Sequence, residues 1–157
     1  MSKGISLIEI LIVVTIFAVL GILVSSSIIL TLQGSKKSEN LVSVRENLDY
    51  SMSIIERQVR NADSIECTSA SILSYMDENG KPGSFSCNTV SGDSYIASGS
   101  ARMTSSTVIA TCSFSCNLGD SVSQPYVDIV LQGRHATSTG SQGASVTTNT
   151  RIYLRDY

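Results

Sequence analysis

The sequence predicts an α+β protein: one long N-terminal helix, half membrane-like and half amphipathic, packed on a small antiparallel β-sheet head. Three observations predict it. No charged residue occurs between Glu9 and Lys36. From Lys36 to Ala62 the apolar residues recur at helical spacing. Beyond Asp63 the pattern changes to short alternating runs separated by polar turns.

The apolar stretch runs from Ile5 to Leu32, interrupted by Ser6, Glu9, Thr15, Gly21, Ser25-Ser26-Ser27 and Thr31. A bilayer core takes about 20 mainly apolar residues as a helix, so the stretch is long enough to span one. It exceeds the roughly 7–15 apolar residues of a secretory signal peptide, and only the serine run offers a small-residue cut site after it. Lys3 stands before the stretch and Lys36, Lys37 and Arg45 after it, so positive charge does not set the orientation.

In the second segment Leu41, Val44, Leu48, Met52, Ile55, Val59 and Ala62 are three or four residues apart, forming one stripe on a helix. Glu56 and Arg60 sit at i,i+4 with the acid first. No proline intervenes, and Gly34-Ser35 weakens the helix by only about 1 kcal/mol. The expectation is one nearly continuous helix from Ile5 to about Ala62, about 85 Å long. Residues 5–32 form its membrane half and 33–62 its amphipathic half. The stripe of the second half needs a cover, which residues 63–157 supply.

In that head, Ser71–Tyr75 and Ser84–Cys87 flank a turn marked by Asn79-Gly80 and Pro82-Gly83. Thr107–Cys112 and Tyr126–Leu131 are β-branched runs. Val146, Thr148, Thr150, Ile152 and Leu154 alternate with polar or outward residues in a final strand. Gly133–Ala144 reads as a polar loop. All four cysteines, Cys67, Cys87, Cys112 and Cys116, lie in the head. A small domain with such cysteines and no metal-like spacing points to disulfides and a compartment outside the cytoplasm. Of the three connectivities, Cys67–Cys87 with Cys112–Cys116 is preferred. The first follows from proximity across the first hairpin. The second requires Ser113-Phe114-Ser115 to fold into a turn, because four extended residues span about 13 Å.

Other signals are set aside. Cys112-x-x-x-Cys116 is not a zinc knuckle, and no metal or cofactor is expected. Asp77-Glu78-Asn79-Gly80 loosely resembles a calcium loop but lacks the remaining ligand spacing, so a turn is expected. His135, the single histidine, has no nucleophile or acid at a telling spacing. A net charge of -2 gives no reason to expect a nucleic-acid partner.

The N-terminus, Met1-Ser2-Lys3-Gly4-Ile5-Ser6-Leu7-Ile8-Glu9-Ile10-Leu11-Ile12, resembles the processing signal of type IV prepilins and type II secretion pseudopilins. The resemblance implies that residues 1–4 are a leader, that a prepilin peptidase cuts between Gly4 and Ile5, and that Ile5 is N-methylated. It implies that Glu9, the fifth mature residue, pairs with the N-terminal amine of a neighbouring subunit during filament assembly. The family more often has phenylalanine and threonine where Ile5 and Ser6 stand. Glycine suits the cut because it leaves the backbone open to an approaching active site. A carboxylate at depth costs about 2.5–3.5 kcal/mol on insertion scales, so Glu9 calls for a purpose. As part of a plain anchor it would only complement the helix dipole. Ile16-Phe17-Ala18 and Arg57-Gln58-Val59-Arg60-Asn61-Ala62 are similar to elements of J-type minor pseudopilins and W-type minor pilins. The membrane segment also lacks the proline usual in major pilins. The resemblance covers about residues 1–65.

What it implies is a structural subunit, of minor rank, in a type IV pilus or type II secretion pseudopilus, with no enzymatic activity. The implied partners are other pilin or pseudopilin subunits, the prepilin peptidase, an assembly platform membrane protein and, before assembly, the lipid bilayer. Nucleic acid enters only if the filament takes up DNA. The implied location is a single pass in the cytoplasmic membrane with the head outside, then an extracellular or periplasmic filament. The rival expectation is a monomeric, signal-anchored extracytoplasmic binding protein, which would need neither Gly4 nor Glu9.

Overall fold

A computed structural model describes residues 7–119, 124–137, 143 and 145–154. Helix α1 spans Leu7–Arg60, 54 residues or about 80 Å. It passes through Gly21, the three serines and Gly34-Ser35 without interruption. The chain divides into two units, residues 1–36 and 37–157.

In the first unit every described residue is exposed, apolar side chains included. The helix is long and apolar enough to cross a membrane.

In the second unit the rest of α1 shares one core with eight strands: β1 Ala62–Ser69, β2 Ile72–Asp77, β3 Pro82–Val90, β4 Asp93–Ser98, β5 Ala101–Arg102, β6 Val108–Asn117, β7 Tyr126–His135 and β8 Ser145–Tyr153. They form two antiparallel meanders rather than one sheet, β1-β2-β3-β4-β5 and β6-β7-β8. The turns between strands follow local chemistry. Asp77 closes the β2–β3 turn, its Oδ1 accepting from the amides of Asn79 (2.9 Å) and Lys81 (2.8 Å). Ser91 and Gly92 join β3 to β4 with φ of 53° and 85°, the two positive values that a tight two-residue hairpin requires.

The expected helical stripe is the buried one: Val44, Leu48, Met52, Ile55 and Val59 lie within the core, joined by Ser51, whose hydroxyl donates to the Asn47 carbonyl. Inward residues Val127, Ile129 and Leu131 of β7, Val108, Ala110 and Phe114 of β6, and Ile152 of β8 meet it. From the larger sheet come Ile65, Leu73, Phe85 and Ile96. Helix and sheets are also pinned by a polar contact, the Ser105 amide donating to Asn47 Oδ1 at 2.8 Å.

Four expectations are corrected. The helix ends at Arg60, and Ala62 already begins β1. Glu56 and Arg60 form no ion pair, in keeping with the small worth of exposed pairs. Gly133, Arg134 and His135 belong to β7, not to a loop. Strands β1, β4 and β5 lie where no strand was expected. In β1 two register shifts break the alternation, and in β4 adjacent Ile96 and Ala97 are both buried.

Gly133 has a packing reason. A Cβ there would lie 3.1 Å from Val44 Cγ1 and 3.2–3.3 Å from the Leu48 methyls, so the helix crosses the small sheet over this residue. Gly133→Val is therefore expected to destabilise the protein by about 1–3 kcal/mol through overpacking, despite valine's better strand propensity. Thermal unfolding of the full chain in detergent checks this, and an unchanged or raised midpoint would contradict it.

Candidate functional site

The exposed apolar helix of the first unit is the candidate site. Polar side chains in an apolar medium need partners, which either their own helix or a neighbouring one can supply, and some here find them within their own helix. Three do so: Thr15 donates to the Ile12 carbonyl (2.8 Å), Ser26 to that of Ile22 (2.9 Å) and Thr31 to that of Ser27 (2.9 Å). Nothing lies within 4 Å of a Cβ built at Gly21 or Gly34, so neither glycine is explained by packing within the chain.

Glu9 stands in the first turn of α1, where backbone N–H groups lack helical acceptors and the helix dipole favours an anion. Among the described residues no side chain pairs with it. It is the only ionisable residue from Leu7 to Ser35. Gly4 and Ile5, expected at the cleavage and methylation position, lie outside the described residues.

All four cysteines are disulfide-bonded, but the expected pairing is wrong. Cys67 bonds Cys116 and Cys87 bonds Cys112, with Cα separations of 5.6 and 5.8 Å. The reason is geometric. Cys112 and Cys116 share the continuous strand β6, four residues apart on one face, too far to meet. Cys67 and Cys87 lie on β1 and β3, separated by β2. Each instead reaches across to β6, so both bonds join the two sheets. A backbone hydrogen bond from Phe114 to the Ala70 carbonyl (2.8 Å) ties the sheets between them.

Two arginines, unremarked in the sequence, hold the head's surface. Arg102 of β5 pairs with Asp93 at 2.7 Å, donates to the carbonyls of Thr104 and Ser105, and lies over the Tyr95 ring. Arg151 of β8 grips both carboxylate oxygens of Asp128 on β7 (2.7 and 2.8 Å) and lies over Tyr126. Those hydrogen bonds hold the Asp128 carboxyl below its ordinary range. Period-2 placement of Asp128 and Arg151 on the outer face was the available signal for the second pair.

An open groove of about 650 Å³ on the head is lined by Ser64, Glu66, Tyr75, Gly83 and Leu118, among others. The Tyr75 ring lies against the bare backbone of Gly83 and stacks on Phe85, centroids 5.3 Å apart. Burial, then the charge of Asp77, raises the Tyr75 pKa. Among the described residues no paired acid and base or activated nucleophile is gathered there. His135 ends β7 with its Nδ1 3.1 Å from the Thr137 hydroxyl. Among the described residues no cluster of His, Cys, Asp or Glu is suited to a metal ion.

Comparison of the chain with protein-family models, with curated proteins and with solved structures finds no significant match in any of the three.

Proposed function

We propose that the chain is a filament subunit of the type IV pilus or type II secretion pseudopilus kind, assembled through the apolar half of α1. One observation carries this proposal. A 54-residue helix exposes an apolar half, interrupted by a single carboxylate in its first turn, and continues unbroken into an amphipathic half seated in a disulfide-bonded head. A bilayer anchor alone needs only about 20 apolar residues and no Glu9. A subunit that moves from bilayer to filament needs an apolar surface for both settings and a charge to fix register. The Gly4-Ile5 leader and the Ile16-Phe17-Ala18 element favour the same class, with the rank of a minor subunit and no catalytic activity of its own. The head then stands outside the cytoplasm, where its disulfides persist.

Processing provides the test. Intact-mass measurement of protein from its native membrane is expected to show loss of residues 1–4 and a methyl group on Ile5. Gly4→Val should abolish the cut by crowding the backbone. Retention of Met1, or a cut near Ser27, would favour the anchored binding protein. Quantitative mass spectrometry of sheared filaments is expected to find this chain below the most abundant subunit.

A further inference from the structure

Strand β8 is an outer strand of the small sheet, and its neighbour in that sheet is β7. Two hydrogen bonds fix which of its backbone groups are used. The Leu154 amide donates to the Pro125 carbonyl at 3.0 Å, so a hydrogen-bonded pair stands one step beyond Tyr153 and Tyr126. On the other side of β7, the Ala136 amide donates to the Thr107 carbonyl at 2.8 Å, which turns the even residues of β7 toward β6 and the odd ones toward β8. Bonded and non-bonded pairs alternate along an antiparallel ladder. Both bonds give one answer: Val146, Thr148, Thr150 and Ile152 bond to β7. The N–H and C=O groups of Ser145, Thr147, Asn149, Arg151 and Tyr153 point the other way, and among the described residues no backbone group meets them.

Sheet edges are usually short, charged, bulged or covered, because a bare ladder pairs with extended chains. The other edges of the head follow that rule. β5 has two residues. β1 shifts register twice and is tied to β6 by Cys67–Cys116. At its own edge β6 donates the Phe114 amide to the Ala70 carbonyl, just past the end of β1. β8 differs. It has nine residues in unbroken register with β7, no proline and no lysine. Its single charge, Arg151, is taken up by Asp128 within the sheet.

We propose that β8 is a docking edge that takes an extended segment of a different protein as a fourth strand of the small sheet. Main-chain groups at the strand repeat set the class of ligand, and the flanking side chains set its sequence. Val146, Thr148 and Thr150 face inward yet are only half-buried, so apolar residues of the added strand complete that side of the core. Tyr153 is 50% exposed, with its ring centroid 5.7 Å from that of Tyr126, and offers an aromatic surface at one end. Arg134 stands at the other end, opposite Ser145, and no ion pair among the described residues includes it. The added strand lies two strand spacings from β7, about 10 Å, within reach of an arginine laid across the short Ser145. The segment recognised is therefore uncharged through its middle, apolar at alternate residues, aromatic beside Tyr153 and acidic beside Arg134. A second copy fits less well. Paired antiparallel about Asn149, two β8 strands set Tyr153 against Ser145; paired parallel, they bring two Arg134 side chains together. Neither arrangement supplies an acid. The edge lies wholly within the head, so the proposal does not depend on the filament reading.

The test uses the full chain in detergent and a fluorescein-labelled nine-residue peptide, with tyrosine first, aspartate last, threonine at the third, fifth and seventh positions and valine at the even ones. Laid antiparallel, its odd residues face Tyr153, Arg151, Asn149, Thr147 and Ser145. The peptide is expected to bind saturably in fluorescence polarisation. N-methylation at its third, fifth and seventh residues should weaken binding by roughly tenfold or more, whereas methylation at the even residues should change it by less than about threefold. Replacing the final aspartate by lysine should weaken binding, and Arg134→Glu should restore it for the lysine peptide. Asn149→Pro removes one outward N–H and no bond to β7. It should keep the unfolding midpoint and the disulfide map while losing the peptide by roughly tenfold. If that variant fails to fold, the two methylated peptides on the wild-type chain still decide. No binding of the unmethylated peptide, equal loss with either set of methyl groups, or a folded Asn149→Pro chain that binds like wild type would overturn the proposal. A concentration-dependent dimer of the wild-type chain, abolished by Asn149→Pro, would assign the edge to a second copy and overturn it as well.

Discussion

Glu9→Val is expected to leave the chain in the membrane at wild-type level and to remove it from filaments. The two effects have opposite signs for physical reasons. Loss of the carboxylate eases insertion, by about 2.5–3.5 kcal/mol at the helix centre and less near the interface. In a filament, the proposed partner of Glu9 is the N-terminal amine of a neighbour. Removing one member of a buried ion pair typically costs about 3–5 kcal/mol, because the other charge remains desolvated and unpaired. At about 1.4 kcal/mol per decade, incorporation should fall by about two to three and a half orders of magnitude. Quantifying the chain in membrane and sheared-filament fractions separates the two effects. Equal incorporation of variant and wild type would remove the pairing role. The self-contained hydrogen bonds of Thr15, Ser26 and Thr31 make them fitting controls, since their replacement by alanine deprives no neighbour of a partner.

Loss of the disulfides should have the next largest effect. The bonds close segments of 49 and 25 residues. Chain-entropy arguments assign such loops about 4 and about 3.5 kcal/mol when each is closed alone. The 25-residue loop lies within the other, so the pair together contributes less than the sum. Even so, the contribution is comparable to the 5–15 kcal/mol that holds a typical domain together. Replacing all four cysteines with alanine, or reducing the protein, is expected to lower the unfolding midpoint by at least about 10 °C. Replacing Cys87 and Cys112 alone should cost less than replacing Cys67 and Cys116 alone. Thermal unfolding of the full chain under oxidising and reducing conditions measures both effects. A shift of only one or two degrees would contradict the assignment, as would linked peptides joining Cys67 to Cys87.

The sequence was most informative where one periodicity ran undisturbed. The helical stripe from Val44 to Val59 and the alternation through Ile152 and Leu154 became core positions because each repeats for several turns or residue pairs. Strand β1 was hidden because its register shifts twice, placing Ala62 and Ile65 inward at an odd spacing. Strand β4 was hidden because Ile96 and Ala97 are neighbours and both buried, which strand alternation does not produce. The disulfide pairing failed for a different reason. It is a property of two sheets facing one another, whereas proximity across a hairpin concerns strands within one sheet. Taking β6 as a strand through to Asn117 would have excluded Cys112–Cys116, because a straight strand cannot bring its own i and i+4 residues together. Gly133 was read as a loop residue, since a glycine beneath a crossing helix and a glycine in a turn look alike in sequence. At the candidate site, Glu9 was legible because one charge in an apolar run is conspicuous, and the structure adds that no described residue satisfies it.

The cross-links between sheets also determine how the head would lengthen under tension. In the filament proposed above the head would bear pulling forces, and a fully extended residue contributes up to about 3.5 Å of contour. The segment from Cys67 to Cys116 can release none of its roughly 170 Å to a pull on the chain outside it, because its ends are bonded with Cα atoms 5.6 Å apart. Strands β7 and β8 have no covalent tie to the rest of the head. Force applied at the C-terminal side would therefore peel β8 and then β7, each as a row of hydrogen bonds broken in turn, and stop at Cys116. From Cys116 to Leu154 that peeling pays out about 130 Å of slack. The head thus contains a tether of fixed maximum length beside a part that does not stretch.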